Sequence, residues 1–343
     1  MSTQRKTIVV VGASGNQGSS VAHTFLNLPS WNVRCVTRDP LSPASQALAA
    51  LGAEVVQADL GDPASLSKAF SHANAIFVNT DFWAVYGAAN KEFAGQENAA
   101  HKSGELAFEK EVSWGKNAAH AAAAVPSLER YIYSTLPSLS KGSNGKYGSH
   151  HNETKPTIVE YILKEEPELA KKTSFIYMGA YTTNPFIAGP RFDAESAKLK
   201  FFIAFAKEAK VPIVDPMKST GPLVRALIED EDAGTHLLAY DSYLTAEEIV
   251  NLWSKTSGEE AEFVPVTTAF MHEEFGFPKE VLAAPDAISE FGYMSGIEKF
   301  IEPYQLKKKG LTKSYEDWLK ERDWKEVLES IKSSAMPSFK SME

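Results

Sequence analysis

Residues 7–20 read Thr-Ile-Val-Val-Val-Gly-Ala-Ser-Gly-Asn-Gln-Gly-Ser-Ser. The β-branched run from Thr7 to Val11 reads as a buried strand, and Ser19 to Asn27 reads as the helix that follows it. Between them stand Gly12, Gly15 and Gly18, spaced by three. Gly12 permits a sharp turn, Gly15 lets the backbone approach a pyrophosphate, and Gly18 allows close packing of helix on strand, while the helix N-terminus attracts phosphate charge. A glycine pattern alone is weak evidence, but this one lies between a strand and a helix and is followed about twenty residues later by the end of a second strand. The stretch therefore predicts a Rossmann-type, doubly wound parallel sheet with a dinucleotide site at Gly12, Ser14, Gly15, Asn16, Gln17 and Gly18.

Further along, β-branched runs alternate with helical patterns, as in βαβ units. Strands are expected at Val33 to Thr37, Glu54 to Gln57, Ala75 to Asn79, Arg130 to Ser134 and Ser174 to Met178. Helices are expected at Ser42 to Leu51, from Pro63 behind an Asp62 cap, at about Lys102 to Ala124 and at about Pro156 to Lys164. The first half of the long connection from Thr80 to Glu129, with Asp81, Phe82, Trp83 and Tyr86, reads as a loop over the site. Ser138 to His151, rich in Ser, Gly, Asn and Lys, reads as a mobile loop. Beyond Asn184 the pattern loosens, so residues 1–190 are assigned to the dinucleotide-binding domain and 191–343 to a smaller C-terminal α/β lobe that covers the substrate and has segments returning to the main domain.

A formal charge of −9 over 343 residues would repel a polyphosphate backbone, and no Lys/Arg stripe reverses it locally, so direct nucleic-acid binding is not expected. No apolar run reaches the ~18 to 20 residues that span a bilayer, the polar start from Met1 to Lys6 runs straight into a strand, and the one cysteine, Cys35, lies in an apolar strand. These features point to the cytoplasm, with no membrane association. Glu229 to Asp232 reads as a helix N-terminus or solvated face rather than a cation site. His150-His151 lacks partners at metal spacing, so no metal is expected.

The residue ending strand two separates the two nicotinamide cofactors, because an acid there bonds the ribose 2'-hydroxyl whereas Arg accommodates a 2'-phosphate. Here Thr37-Arg38-Asp39 supplies Arg38, which favours NADP(H). The other reading is that Arg38 pairs with Asp39 or solvent. Asp59 and Leu60 would flank the adenine, and Asn79 and Thr80 would reach the ribose beside the nicotinamide.

The glycine turn, Thr37-Arg38-Asp39, Ala58-Asp59-Leu60, Tyr131-Ile-Tyr-Ser134 and Tyr181 to Asn184 together resemble the NmrA-like family, atypical members of the extended short-chain dehydrogenase/reductase superfamily, from Thr7 to about Trp253. The resemblance implies a cofactor cleft between a Rossmann domain and a smaller C-terminal domain. It leaves activity open, because the family holds nucleotide-sensing regulators as well as enzymes, including some of fungal secondary metabolism. The superfamily's Tyr-x-x-x-Lys pattern is His151-Asn-Glu-Thr-Lys155 here: Lys155 matches, and His stands where Tyr is expected. A His with an unperturbed pKa near 6.5 could transfer a proton; Tyr147 is the alternative donor, swinging in from its loop. Ser134, Lys155, Tyr181 and Asn184 complete the expected cofactor contacts, and a Lys155→Ala chain is expected to fold but to use cofactor poorly. Phe82, Trp83, Tyr86, Phe291, Tyr293 and Met294 would suit an apolar substrate pocket, or equally a core. The leading expectation is an NADP(H)-dependent oxidoreductase acting on a bulky organic small molecule. The alternatives are a non-catalytic redox sensor that binds a protein partner and a non-redox isomerase that keeps the cofactor as structure.

Overall fold

The computed structural model describes residues 5–333, so Met1 to Gln4 of the polar start and the end of the 191–343 region beyond residue 333 lie outside the described residues. The chain opens with β1 (Lys6–Val11), α1 (Asn16–Leu26), β2 (Trp31–Thr37), α2 (Pro43–Ala50), β3 (Glu54–Gln57), α3 (Pro63–Ala69) and β4 (Ala75–Val78). Two helices, α4 (Phe82–Glu92) and α5 (Ala99–Ala123), lead to β5 (Arg130–Thr135). They are followed by α6 (Leu139–Gly142), α7 (His150–Glu165), α8 (Pro167–Ala170) and β6 (Thr173–Met178). Next come β7 (Ala180–Tyr181), α9 (Pro185–Ala188), β8 (Arg191–Asp193), β9 (Lys198–Ile203), β10 (Lys210–Val214) and α10 (Thr220–Glu229). The last elements are β11 (His236–Ala239), β12 (Ser242–Thr245), α11 (Ala246–Ser257), β13 (Ala261–Pro265), α12 (Thr268–Phe275), α13 (Lys279–Phe291), α14 (Tyr315–Lys320) and α15 (Trp324–Ser333).

Seven parallel strands form the main sheet in the order β11-β6-β5-β4-β1-β2-β3. The chain runs outward from β1 to β3 and then restarts on the other side of β1 at β4, which opens a crevice at the carboxyl ends of β1 and β4. Both faces of the sheet are covered. Val9, Val11, Ile76, Val78 and Tyr133 pack in one apolar layer, and Ile8, Val10, Phe77 and Ile132 in the other. That is why these strands read as unbroken apolar runs rather than alternating ones. Cys35 is buried in the second layer, where burial pushes its thiol up to about 12.

Two three-stranded sheets, β12-β10-β7 and β13-β9-β8, stand apart from the main one, with a core around Trp253. The chain between them returns to the main domain. β11 pairs in parallel with β6, and α10 packs on α1 so closely that a Cβ on Gly221 would lie 2.2 Å from the Ser20 carbonyl oxygen.

Three local expectations are corrected. Residues 82–92 form a helix rather than a loop: Asp81 accepts the Ala84 N–H as its N-cap, and Phe82, Val85, Tyr86 and Ala89 bury one face. Ser138 to His151 is built structure rather than a mobile loop, because Glu153 accepts from the Ser138 hydroxyl at 2.6 Å and the Ser140 N–H at 2.9 Å, and Ser143 Oγ accepts the Tyr147 N–H at 2.8 Å. The acidic run at 229–232 lies at the C-terminal end of α10 instead of a helix N-terminus. Partners supplied from a distance account for it: Glu229 accepts from the Trp31 indole, Asp230 pairs with Lys308, and Glu231 accepts the Lys307 N–H.

Candidate functional site

A single cleft of about 1000 Å³ runs along the carboxyl ends of the parallel strands, from Arg38 past the glycine turn to α13. At its first end the turn fits a pyrophosphate. Gly12 has φ +74°, a conformation L side chains rarely adopt. A Cβ on Gly18 would lie 2.2 Å from the Gly12 carbonyl oxygen, so Gly18 is a packing residue and does not line the cleft. Gly15, at φ −88°, is the N-cap of α1 and supplies no side chain to cap it. The first-turn N–H groups of a helix have no intrahelical acceptor, and Asn16 and Gln17, the first residues of α1, line the cleft beside Ser14. Arg38 is exposed at the cleft wall, and its guanidinium has no ion-pair or hydrogen-bond partner among the described residues. Asp39, the partner in the other reading, instead accepts the Leu41 N–H. Asp59, Leu60, Asn79, Thr80 and Asn184 also line the cleft.

Deeper in, Lys155 of α7 lines the cleft, but its ammonium group is already committed. Its Nζ lies 2.8 Å from the Thr80 carbonyl, 3.0 Å from Thr80 Oγ1, 2.9 Å from Glu111 Oε1 and 3.5 Å from Asn79 Oδ1. Three N–H donors face four acceptors, which leaves none spare for a ligand. Glu111, on α5, is fully buried. Burial alone would raise its pKa, but the charge of Lys155 and the hydroxyls of Thr154 and Thr80 outweigh that, and the carboxylate is held below its usual range. Thr80 Oγ1 donates to Glu111 at 2.6 Å, and the Tyr133 hydroxyl lies 3.3 Å from it. Lys155 thus acts by fixing Asn79 and Thr80 at the end of β4.

His151 sits one turn before Lys155, with its ring centroid 4.6 Å from that of Trp83 and 5.2 Å from that of Phe82. Its Nδ1 is buried with no partner, and burial pushes its pKa down to about 4; the Lys155 charge adds to this and the Glu111 carboxylate opposes it. At neutral pH it is therefore an uncharged aromatic wall with no imidazolium proton to give. Tyr147 lies outside the cleft lining, its hydroxyl donating to Glu290 at 3.0 Å and its ring against Phe291.

A hydrogen-bond chain crosses the floor of the cleft. Ser134 Oγ donates to Gln17 Oε1 at 2.6 Å, and Gln17 Nε2 donates to the Tyr181 hydroxyl at 2.6 Å. The phenol oxygen of Tyr181 is thereby an acceptor, and its own proton is free to point into the cleft. Burial raises its pKa, the bond from Gln17 opposes this and nearby Asp81 adds to the rise, so the group stays protonated at neutral pH.

Of the aromatic residues expected around the substrate, Phe82, Trp83 and Tyr293 line the cleft. Tyr86 stacks behind Phe82, Met294 is buried in the core, and Phe291 ends α13 away from the opening. The wall is built instead by Val281, Ala284, Pro285 and Ile288 of α13, with Phe186, Phe205 and Phe277. Glu280 anchors α13 to the start of α7, bonding His150 Nδ1 at 2.7 Å and accepting the His151 N–H at 3.1 Å. Among the described residues, no cluster of three or more His, Cys, Asp or Glu could hold a metal ion, and no helix is long and apolar enough to cross a membrane.

The model of the NmrA-like family matches residues 4–319. The chain belongs to the NmrA-like family. Among its family relatives is the NmrA-like family domain-containing oxidoreductase hkm9 of Aspergillus hancockii, 29% identical over 290 residues that cover 81% of each chain. Another is the similarly named oxidoreductase ptmS of Penicillium ochrochloron, 27% identical over 78% of this chain and 77% of that one. Two solved structures share the NmrA-like fold at 18% identity. NmrA, described as a negative transcriptional regulator in complex with NAD, superposes with a TM-score of 0.69 over 96% of this chain and 98% of that one. The NADPH-dependent quinone oxidoreductase QOR2 of Escherichia coli, complexed with NADPH, gives 0.66 over 91% and 98%.

Two parts of this NmrA-like site are absent from the sequence reading. Glu111 stands 44 residues before Lys155, and no local pattern links the two. The α13 face did leave a signal, apolar residues at 281, 284, 285 and 288, which is helical spacing for one face.

Proposed function

We propose that this chain binds NADP(H) in the cleft and is an oxidoreductase acting on a bulky organic molecule. The observation that carries the proposal is the continuity of the cleft: an unpaired Arg38, an uncapped α1 N-terminus and an apolar wall lie along one opening. Arg38 would pair with the 2'-phosphate and the first turn of α1 with the pyrophosphate, while Lys155 holds Asn79 and Thr80 in place. Bound NADPH would supply a hydride. Tyr181, oriented by Gln17 and Ser134, is the group best placed to deliver a proton, in place of His151 and Tyr147. The names of the curated relatives and the NADPH-bound quinone oxidoreductase support this reading.

A second reading, the redox sensor, is favoured by one observation: neither Lys155 nor His151 has a proton ready for a ligand. The two readings separate in one experiment. The protein is incubated with NADPH deuterated at the transferable position and a small-molecule extract of its native cells. Deuterium appearing in an organic product, and lost with Gly15→Val, supports the enzyme. Absence of any labelled product, together with a protein partner retained only in the presence of one cofactor form, supports the sensor.

A further inference from the structure

The two long walls of the cleft beyond the glycine turn are unusual in what they lack. On one side α13 presents Val281, Ala284, Pro285 and Ile288, an i, i+3, i+4, i+7 stripe that lines the cleft while Ile288 and Ala284 also pack on the core around Trp253. Phe186 and Phe277 continue this wall, and none of its side chains is ionisable. Facing it, Trp83 and Phe82 pack against the imidazole of His151, which is uncharged at neutral pH. Of the polar groups nearby, Tyr293 donates to the Met178 carbonyl at 2.5 Å and the Lys155 charge is matched by Glu111; Asp81, which caps α4 by accepting the Ala84 N–H, and the Tyr181 hydroxyl also line the cleft. The unpaired charge of Arg38 stands at the other end of the cleft, beside Asp39 and Asp59.

Apolar side chains open to water cost free energy unless something covers them, and a charged group moved among them goes unpaired. We propose that the α13 half of the cleft is a binding subsite for an uncharged, flat ring system, held between the α13 stripe and the Trp83–His151 wall, and that it discriminates against charged molecules of the same shape. This deepens the proposed function by naming the substrate's chemical class, and it rests on that reading.

The test uses three probes with one ring system: 1-pyrenemethanol, uncharged; 1-pyrenecarboxylate, anionic; and 1-pyrenemethylamine, cationic. Binding to the full chain is followed through energy transfer from tryptophan, since Trp83 and Trp114 line the cleft. The expected result is saturable 1:1 binding of 1-pyrenemethanol, at least about tenfold tighter than either charged probe. Ile288→Asp and, as a gentler change, Ala284→Trp should each weaken it at least about tenfold, with circular dichroism unchanged. Equal affinity for all three probes, tighter binding of the cation, or binding unaffected in folded Ala284→Trp would overturn the proposal. NADPH titration of the same samples keeps the two claims apart. Probe binding without NADPH binding removes the proposed function and leaves the subsite; NADPH binding without probe binding does the reverse.

Discussion

Replacing Lys155 by methionine should unfold the protein more readily, not merely impair the site. Lys155 and Glu111 have side chains 9% and 0% exposed and lie 2.9 Å apart. Removing one partner of such a pair leaves the other charge buried without compensation, at a cost of about 3–5 kcal/mol. For a chain of this size that is a fall in Tm on the order of 4–7 °C. The double variant Lys155→Met/Glu111→Gln, which removes both charges and keeps an oxygen for Thr80, should recover about 2 kcal/mol or more of the loss. The pH dependence has a definite sign. In the parent, the Glu111 pKa is depressed below its ordinary 4.5, so its stabilising contribution is complete above that pH and is lost as pH falls through the folded-state value. In Lys155→Met only the Thr154 and Thr80 hydroxyls still oppose burial, so the Glu111 pKa rises relative to the parent, the charged carboxylate destabilises that variant at neutral pH and protonation relieves it. The gap between parent and variant is therefore widest near pH 7 and narrows toward about pH 4. Urea unfolding at the two pH values, followed by tryptophan fluorescence, measures it. A single variant within about 1 kcal/mol of the parent at pH 7, or a gap that does not narrow in acid, would refute the reasoning.

His151 is depressed to about 4 from an ordinary 6.5, so it contributes stability that is complete above pH 6.5 and is lost as pH falls through 4, at most about 3 kcal/mol; His151→Phe should abolish that acid-side loss, and an NMR titration of His151 centred near 6.5 would contradict the assignment. Gly15→Val should fold, since φ −88° suits any L residue, yet fail to bind NADPH in a calorimeter. Gly18→Ala, its Cβ 2.2 Å from the Gly12 oxygen, should lose about 2–3 kcal/mol in urea unfolding instead. Tyr181→Phe should lower kcat by roughly 10²- to 10⁴-fold on whatever molecule takes up the deuterium label, with NADPH affinity unchanged; an unaltered rate would return the proton donor to another group.

The parallel sheet was legible because its central strands are buried on both faces and the early crossover helices α2 and α3 are short and capped, by Ser42 and Asp62. The cofactor end of the cleft was legible for a related reason: Gly12, Gly15 and Arg38 are placed by one βαβ unit, so their separation in sequence is their geometry. Reading became harder where structure depends on distant partners. Phe82 to Tyr86 looks like an aromatic loop until its buried face meets α5, although the Asp81 cap and the spacing 82, 85, 86, 89 were there to be read. The segment at 138–151 is ordered by Glu153, and Lys155 is turned from a ligand contact into an anchor by Glu111. His151 was expected near its ordinary pKa because burial between Phe82 and Trp83 is a property of the packed fold.

The most direct test of the central claim is calorimetric titration of the full chain with NADPH and with NADH, repeated on Arg38→Ala. A charge-assisted bond from Arg38 to the 2'-phosphate contributes on the order of 1.5–3 kcal/mol. The account predicts that NADPH binds at least about tenfold more tightly than NADH, and that Arg38→Ala removes this preference while leaving NADH affinity nearly unchanged. Equal affinities in the parent chain, or a preference that survives Arg38→Ala, would contradict it.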